Sequence, residues 1–200
     1  MDVKQLIDKG FSVKKYARDG IIYEPGTWPH HVYFIKSGEI RMVTVSEDGK
    51  EFIQGIFKSG EYFGEPALLI GKPYLAYTIA NKPSEIIPVG KSDFFELLKT
   101  DADFSMQLIQ VLSKRLFYKS MMLEELANEK AEHRLLTIVK YLTEDLNEGD
   151  ALKVTRQELA DMTGLRVETV IRGIKQLAAK ELILLKRGKI IKKKESKFSL

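Results

Sequence analysis

The chain has 200 residues, 44% of them hydrophobic and 30% charged, enough apolar material for one large or two small folded domains and too much for a disordered polymer. It contains no cysteine, which excludes disulfides, thiolate-held zinc, iron–sulfur clusters and a cysteine nucleophile together. No apolar run approaches the ~18 residues of a membrane span, and Met1-Asp2-Val3-Lys4 opens no apolar signal segment, so a cytoplasmic chain without membrane attachment is expected. The net charge of +4 is unevenly spread: residues 151–200 carry 13 Lys/Arg against 5 Asp/Glu, and residues 1–150 carry 19 against 23. An acidic front with a basic end points to a polyanion as the partner of the C-terminal part.

Residues 1–98 read as β-rich. Short apolar stretches at Ile21-Ile22-Tyr23, Val32 to Ile35, Ile40 to Val45, Phe52 to Phe57 and Ile86-Ile87 alternate with turn signals. The turns fall at Glu24-Pro25-Gly26, Lys36-Ser37-Gly38, Glu47-Asp48-Gly49, Lys58-Ser59-Gly60 and Ile70 to Pro73. Many short strands with regularly spaced glycine turns predict a sandwich or barrel-like roll. Arg41–Val45 and Glu51–Ile53 flank the clearest hairpin.

Residues 99–131 read as a long helix, preceded by a short one that Ser92 is placed to cap. From Ala102 to Ala131 there is neither Gly nor Pro. Ile109, Leu112, Leu116, Leu123 and Leu126 recur in alternating three- and four-residue steps, with Lys119 in the one polar position of the seam. Such a heptad stripe packs against a partner helix, and a helix of about 40 Å is too long for the roll to cover. A self-paired helix, hence a homodimer, is expected.

Residues 132–200 alternate helices with a terminal hairpin. His133–Thr143 is a helix that buries Leu135, Leu136, Ile138, Val139 and Leu142, and Thr155-Arg156-Gln157-Glu158 has capping-box spacing. A short helix to Met162, a turn at Thr163-Gly164-Leu165 and a second helix from Val167 to Lys180 follow, then strands flanking Lys186-Arg187-Gly188. Ala160, Gly164 and Val170 have helix-turn-helix spacing: a small residue for close approach, glycine for the left-handed turn, and a β-branched residue packing back. On the second helix Val170, Ile174 and Leu177 face one way, while Val167, Glu168, Ile171, Arg172 and Lys175 face the other. That outer set suits double-stranded DNA. Arg172 can donate twice to guanine, Glu168 can accept from cytosine, and Val167 and Ile171 can touch thymine methyls. The competing reading is a solvent-exposed Glu168–Arg172 ion pair worth a few tenths of a kcal/mol.

At this point the whole chain resembles the cyclic-AMP receptor protein and fumarate–nitrate regulator (Crp-Fnr) superfamily of bacterial transcription factors. Val32 to Ile40 resembles its roll strand, and Gly60-Glu61-Tyr62-Phe63-Gly64-Glu65 the approach to its effector cassette. Thr155 to Ala160 and Val167 to Arg172 resemble its two DNA-binding helices. The resemblance implies an α+β chain: a double-stranded, jelly-roll-like β-roll of the cyclic-nucleotide-binding-domain fold at 1–98, a dimerisation helix at 99–131 and a winged helix-turn-helix at 132–200. It implies a homodimer on a palindrome, with RNA polymerase as a further partner if the protein activates, and no catalysis. Phosphates fall to Thr155, Arg156, Gln157, Arg166, Lys175, Arg187 and Lys189. Val167-Glu168-Thr169 is similar to the fumarate–nitrate branch, implying TTGA-like half-sites with Arg172 on the guanine. Three residues depart from the pattern: Arg166 replaces a capping Ser or Thr, Ile171 replaces a Ser, and Gly173 replaces an aliphatic residue at a cost of roughly 1 kcal/mol relative to Ala.

The effector pocket implied by the resemblance comprises Gly64, Glu65, Lys72, Tyr74, Leu75, Tyr77, Lys119 and Ser120. The family's phosphate-binding arginine and hydroxyl fall at Tyr74-Leu75, and its adenine-contacting pair at Lys119-Ser120. Glu65 can take a ribose hydroxyl, but without the arginine a buried phosphate is unpaired, which argues against cyclic AMP. Haem needs an axial ligand, yet His30 and His31 follow Trp28-Pro29 as loop residues and His133 opens a helix; no metal site is expected. A small organic anion or phenol held by Lys72, Tyr74, Tyr77 and Lys119 and an empty pocket stand equal. Two rival functions remain. A cupin-type enzyme needs strand histidines that this roll lacks. A ligand-binding module whose basic tail meets a membrane or protein fits Lys192-Lys193-Lys194 but leaves Glu168 and Arg172 without a role.

Overall fold

Two strands with both faces buried organise the first half of the chain. In the computed structural model, which describes residues 3–127 and 131–192 (backbone only at 125–127), these are β3 (His31–Val45) and β6 (Tyr77–Gly90). They pair antiparallel from His31↔Gly90 to Val43↔Tyr77. On β3, Val32 and Phe34 face one core with Ile87 and Val89 of β6, while Ile35 and Ile40 face a second with Ala80 and Ile86. Burial on both faces explains why Val32 to Ile35 is continuously apolar rather than alternating. Around this pair lie α1 (Val3–Asp8), β1 (Lys14–Tyr16), β2 (Ile21–Tyr23), β4 (Glu51–Lys58), β5 (Tyr62–Phe63) and α2 (Glu65–Ile70). The sheet order is β1-β6-β3-β4, with β2 also on β6 and β5 on β3. The Arg41–Ile53 hairpin forms as expected, with Val43 opposite Ile53 and Val45 opposite Glu51.

The expected turn at Lys36-Ser37-Gly38 is instead an irregularity inside the continuous strand β3, where the register slips three times between Ile35 and Ile40. Gly38 has φ +99°, and a Cβ there would overlap the buried Ser84 side chain. The Ser84 hydroxyl accepts from the Glu39 N–H at 3.1 Å and donates to the Lys82 carbonyl at 2.7 Å. A side chain thereby replaces ladder bonds lost at the bulge. Pro83, which lacks an N–H, sits in the same irregular stretch of β6. Ile86-Ile87 belongs to this 14-residue strand, not to a short one. His31 opens β3 half-buried, so it is a strand residue and not a loop residue.

The short helix α3 (Lys91–Thr100) is capped by Gly90 without a side-chain hydrogen bond. Ser92 lies inside it and is not the cap. The long helix α4 (Ala102–Ala127) spans 26 residues. Its Phe104 and Leu108 enter the core of α1, α3 and the Val32 face of the sheet, and Leu112 packs partly against that core. Leu112 therefore faces its own chain more than the stripe pattern implied, because the roll core reaches that far along the helix. Contacts divide the chain into two compact units, Met1–Leu112 and Ser113–Leu200.

In the second unit the end of α4 is followed by α5 (Ala131–Thr143), α6 (Arg156–Thr163), α7 (Val167–Ala179), β7 (Leu184–Lys186) and β8 (Lys189–Ile191). α5 buries Leu135, Ile138 and Val139, but Leu136 and Leu142 are only half-buried. No helix among the described residues is long and apolar enough to cross a membrane.

Candidate nucleic-acid interface

The geometry of α6 and α7 starts from two local devices. Thr155 and Glu158 form a complete capping box: the Glu158 N–H donates to Thr155 Oγ1 at 3.0 Å, and Glu158 Oε2 accepts from the Thr155 N–H at 2.8 Å. At the other end Gly164 takes φ +69° and its N–H bonds the Ala160 carbonyl, stopping the helix so that the chain turns into α7. Ala160 and Val170 are fully buried between the helices. Arg134 Nη1 donates to the Thr163 carbonyl at 3.1 Å, tying α5 to the turn.

Helix α7 is divided sharply. Val170, Gly173, Ile174 and Leu177 are buried, whereas Glu168, Ile171, Arg172, Lys175, Gln176 and Ala179 border an open depression along its outer face. Val167 is half-buried at the start of that face. Among the described residues, Glu168 and Arg172 make no ion pair with each other; both heads stay available to a partner. Gln176 extends the face by one turn and was missed from sequence because an amide beside the apolar stripe looks like ordinary solvated helix. Gly173 is explained by packing: a Cβ would lie 2.9 Å from Leu135 Cδ2, so glycine lets α5 and α7 approach. As the sequence suggested, Arg166 begins α7 without a side-chain cap.

Around this face the other basic and polar residues are placed unevenly. Lys175, Arg166, Arg187 and Lys189 are exposed. Arg187 and Gly188, at φ 48° and 76°, make the two-residue turn of the β7–β8 hairpin. Arg156 Nη2 donates to the Gly188 carbonyl at 2.7 Å, so this residue anchors the hairpin tip to α6 with part of its guanidinium. Gln157 is exposed with its amide on Asp161 Oδ1 at 2.8 Å. Thr155 spends its hydroxyl on the capping box. Lys193 and Lys194 lie outside the described residues.

The implied effector residues belong to both units. Gly64 (φ +90°) leads into α2, and Glu65, its first residue, is fully buried. Tyr74 is buried and stacks on Tyr23 with ring centroids 3.6 Å apart, its hydroxyl 3.3 Å from the His31 carbonyl. Burial, then the neighbouring Tyr33 and Tyr23, hold its phenol far above the usual tyrosine range. Tyr33 stacks on Phe63 at 5.2 Å, so aromatic rings fill the roll interior. Tyr77 is half-buried, Lys72 is exposed and Leu75 is 85% exposed. Lys119 and Ser120 are exposed and belong to the second unit, with Ser120 Oγ on the Leu116 carbonyl. Tyr23, Tyr33 and His31 line the interior beside Tyr74; no spacing in the sequence marks them. On α4, Ile109, Leu116 and Leu123 are 56%, 67% and 69% exposed; the Leu126 side chain lies outside the described residues.

Comparison with known proteins matches the fold to function. Residues 13–101 match the model of the cyclic nucleotide-binding domain, and residues 132–197 that of the Crp-like helix-turn-helix domain. The chain belongs to the Crp-Fnr family of transcription regulators. This Crp-Fnr chain is 30% identical over 178 residues to the cAMP-activated global transcriptional regulator CRP of Pasteurella multocida, covering 86% of this chain and 85% of that protein. It is 27% identical over 186 residues to the global nitrogen regulator of Nostoc sp. PCC 7120, covering 89% and 83%. A CooA mutant from Carboxydothermus hydrogenoformans shares the fold with TM-score 0.79 at 21% identity, over 96% of this chain and 91% of that one. FixK2 from Bradyrhizobium japonicum does so with TM-score 0.74 at 20% identity, covering 90% and 91%. The protein is accordingly a DNA-binding transcription regulator whose helix-turn-helix is α6 and α7.

Proposed function

We propose that this regulator acts as a homodimer on a palindromic, TTGA-like site, with Arg172 on the guanine and Glu168 on a neighbouring base. The observation that carries the reading is the outer face of α7, where Glu168 and Arg172 stand exposed beside Ile171 while Val170, Ile174 and Leu177 hold the helix down. Arg166, Lys175, Arg187 and Lys189 then take phosphates and set register. Dimerisation is supported by the exposed apolar residues of α4, since Ile109, Leu116 and Leu123 at heptad steps stay uncovered in the single chain. Two chains present two α7 helices to half-sites about one helical turn apart.

The effector, where one is used, is not cyclic AMP. Tyr74 and Leu75 hold the positions that the family resemblance gives to the phosphate-binding pair, and the one charged residue buried in the described part of the roll is the acid Glu65. A phosphodiester there meets a carboxylate and no cation, which is strongly disfavoured. A titration of labelled duplexes selected from a random pool tests the whole reading: tight binding to a palindrome that weakens steeply with salt supports it. Indifference to duplex sequence refutes it. Thermal-shift stabilisation by cyclic AMP at micromolar concentration refutes the effector part alone.

A further inference from the structure

Helix α4 has two working faces. Ile109, Leu116 and Leu123 form the exposed one. Tyr118 lies on the opposite side, roughly 140–200° around the helix from each of them at ~100° per residue. There its ring stacks on Tyr141 of α5 with centroids 3.8 Å apart and planes 18° from parallel. Met122, one turn further along the same side, is 8% exposed. Were α4 and α5 one straight helix, residues 118 and 141 would be about 35 Å apart; the stack therefore means that α5 folds back along the end of α4. Helix α5 is in turn fastened to the DNA-binding helices at three points. These are Arg134 on the Thr163 carbonyl at 3.1 Å, Glu132 on Lys180 at 2.6 Å, and Leu135 against Gly173. The direction of α7 follows α5, and the Tyr118–Tyr141 stack holds α5 on α4.

From this chain of contacts we infer that the Tyr118–Tyr141 stack is a positioning clasp that sets the half-site spacing the dimer accepts. This rests on the palindrome-reading dimer proposed above. One added base pair displaces a half-site by about 3.4 Å and rotates it by about 35°. A clasped α5 does not follow that movement; a released one does. Neither tyrosine touches DNA in this account, so base preference and affinity for an isolated half-site do not depend on the pair.

The full-length protein is titrated against the selected palindrome, the same palindrome with its spacer changed by one or two base pairs, and a duplex with one half-site. Wild type prefers one spacing. In Tyr118→Ala and Tyr141→Ala the ratio of affinities between the preferred and altered spacers falls by about two- to tenfold, the range an aromatic pair accounts for. Half-site affinity stays unchanged. Tyr118→Phe, which keeps the stack, retains the wild-type ratio. If Tyr118→Ala fails to fold, Tyr118→Leu keeps apolar bulk without the stack and is read the same way. An unchanged spacer ratio in folded stack-free variants overturns the inference. So does equal weakening on every duplex, half-site included, which would make the pair merely structural. A wild type with no preference for a palindrome over one half-site refutes the dimer reading itself, and the clasp with it.

Discussion

The two units place similar chemistry on opposite sides of their surfaces. In the roll, Tyr23, Tyr74 and Glu65 turn inward and are buried, whereas in the helical unit Glu168, Arg172 and Lys175 turn outward into an open depression. A surface that reads a polymer lies outside the core, so its side chains can change without unfolding the protein. An interior that would hold a small molecule is the core itself. In this roll the Tyr23–Tyr74 stack fills interior volume, so those rings are part of what keeps the roll folded.

That contrast can be broken by substitution. The largest effect is expected at Tyr74→Ala, which removes a buried ring from the Tyr23 stack and destabilises the roll by about 3–5 kcal/mol in urea unfolding; a loss below ~1 kcal/mol would mean an already loose interior. Arg172→Ala should leave unfolding unchanged and cost about 1–3 kcal/mol of discrimination at one G·C pair, measured by anisotropy on duplexes differing at that pair. Equal loss on all sequences would assign Arg172 to phosphate. Thr155→Ala removes the capping box and costs ~1 kcal/mol of stability, read as a lower urea midpoint.

A pH series sharpens the comparison further. Burial, then Lys14 and His30, hold the His31 imidazole below its ordinary pKa. The unfolded chain thus takes the proton more readily, and stability contributed by neutral His31 is lost as pH falls below about 6.5. His31→Asn should flatten that slope. The smallest change is expected at Gly173→Ala. The ~1 kcal/mol gained in helix propensity is offset because Leu135, 1% exposed, must move from a Cβ at 2.9 Å. A midpoint raised by the full propensity term would show that Leu135 yields freely.

Most of the helical unit was legible because its signals are local. A capping Thr155 with Glu158, a left-handed Gly164 and a three-to-four apolar step act within a few positions of themselves. The roll was legible only in kind. Gly38 looked like a turn because glycine at positive φ serves bulges and turns alike, and only the approach of Ser84 from β6 separates them. His31 and the interior tyrosines carry no periodic signal, since their neighbours come from distant strands. Leu112 fitted the stripe on α4 but sits where the roll core extends, a fact of tertiary reach.

Taken alone, the amino-acid order determined the helix-turn-helix, its outward residues, the long amphipathic helix and a β-rich first half, because hydrogen-bond closure within a helix and the alternation of a hairpin are short-range. Folding in three dimensions decided which tyrosines fill the roll, that two long bulged strands replace three short ones, and that α5 turns back to place Tyr141 on Tyr118. Those outcomes depend on which distant side chains compete for the same buried volume, and sequence distance does not record that competition.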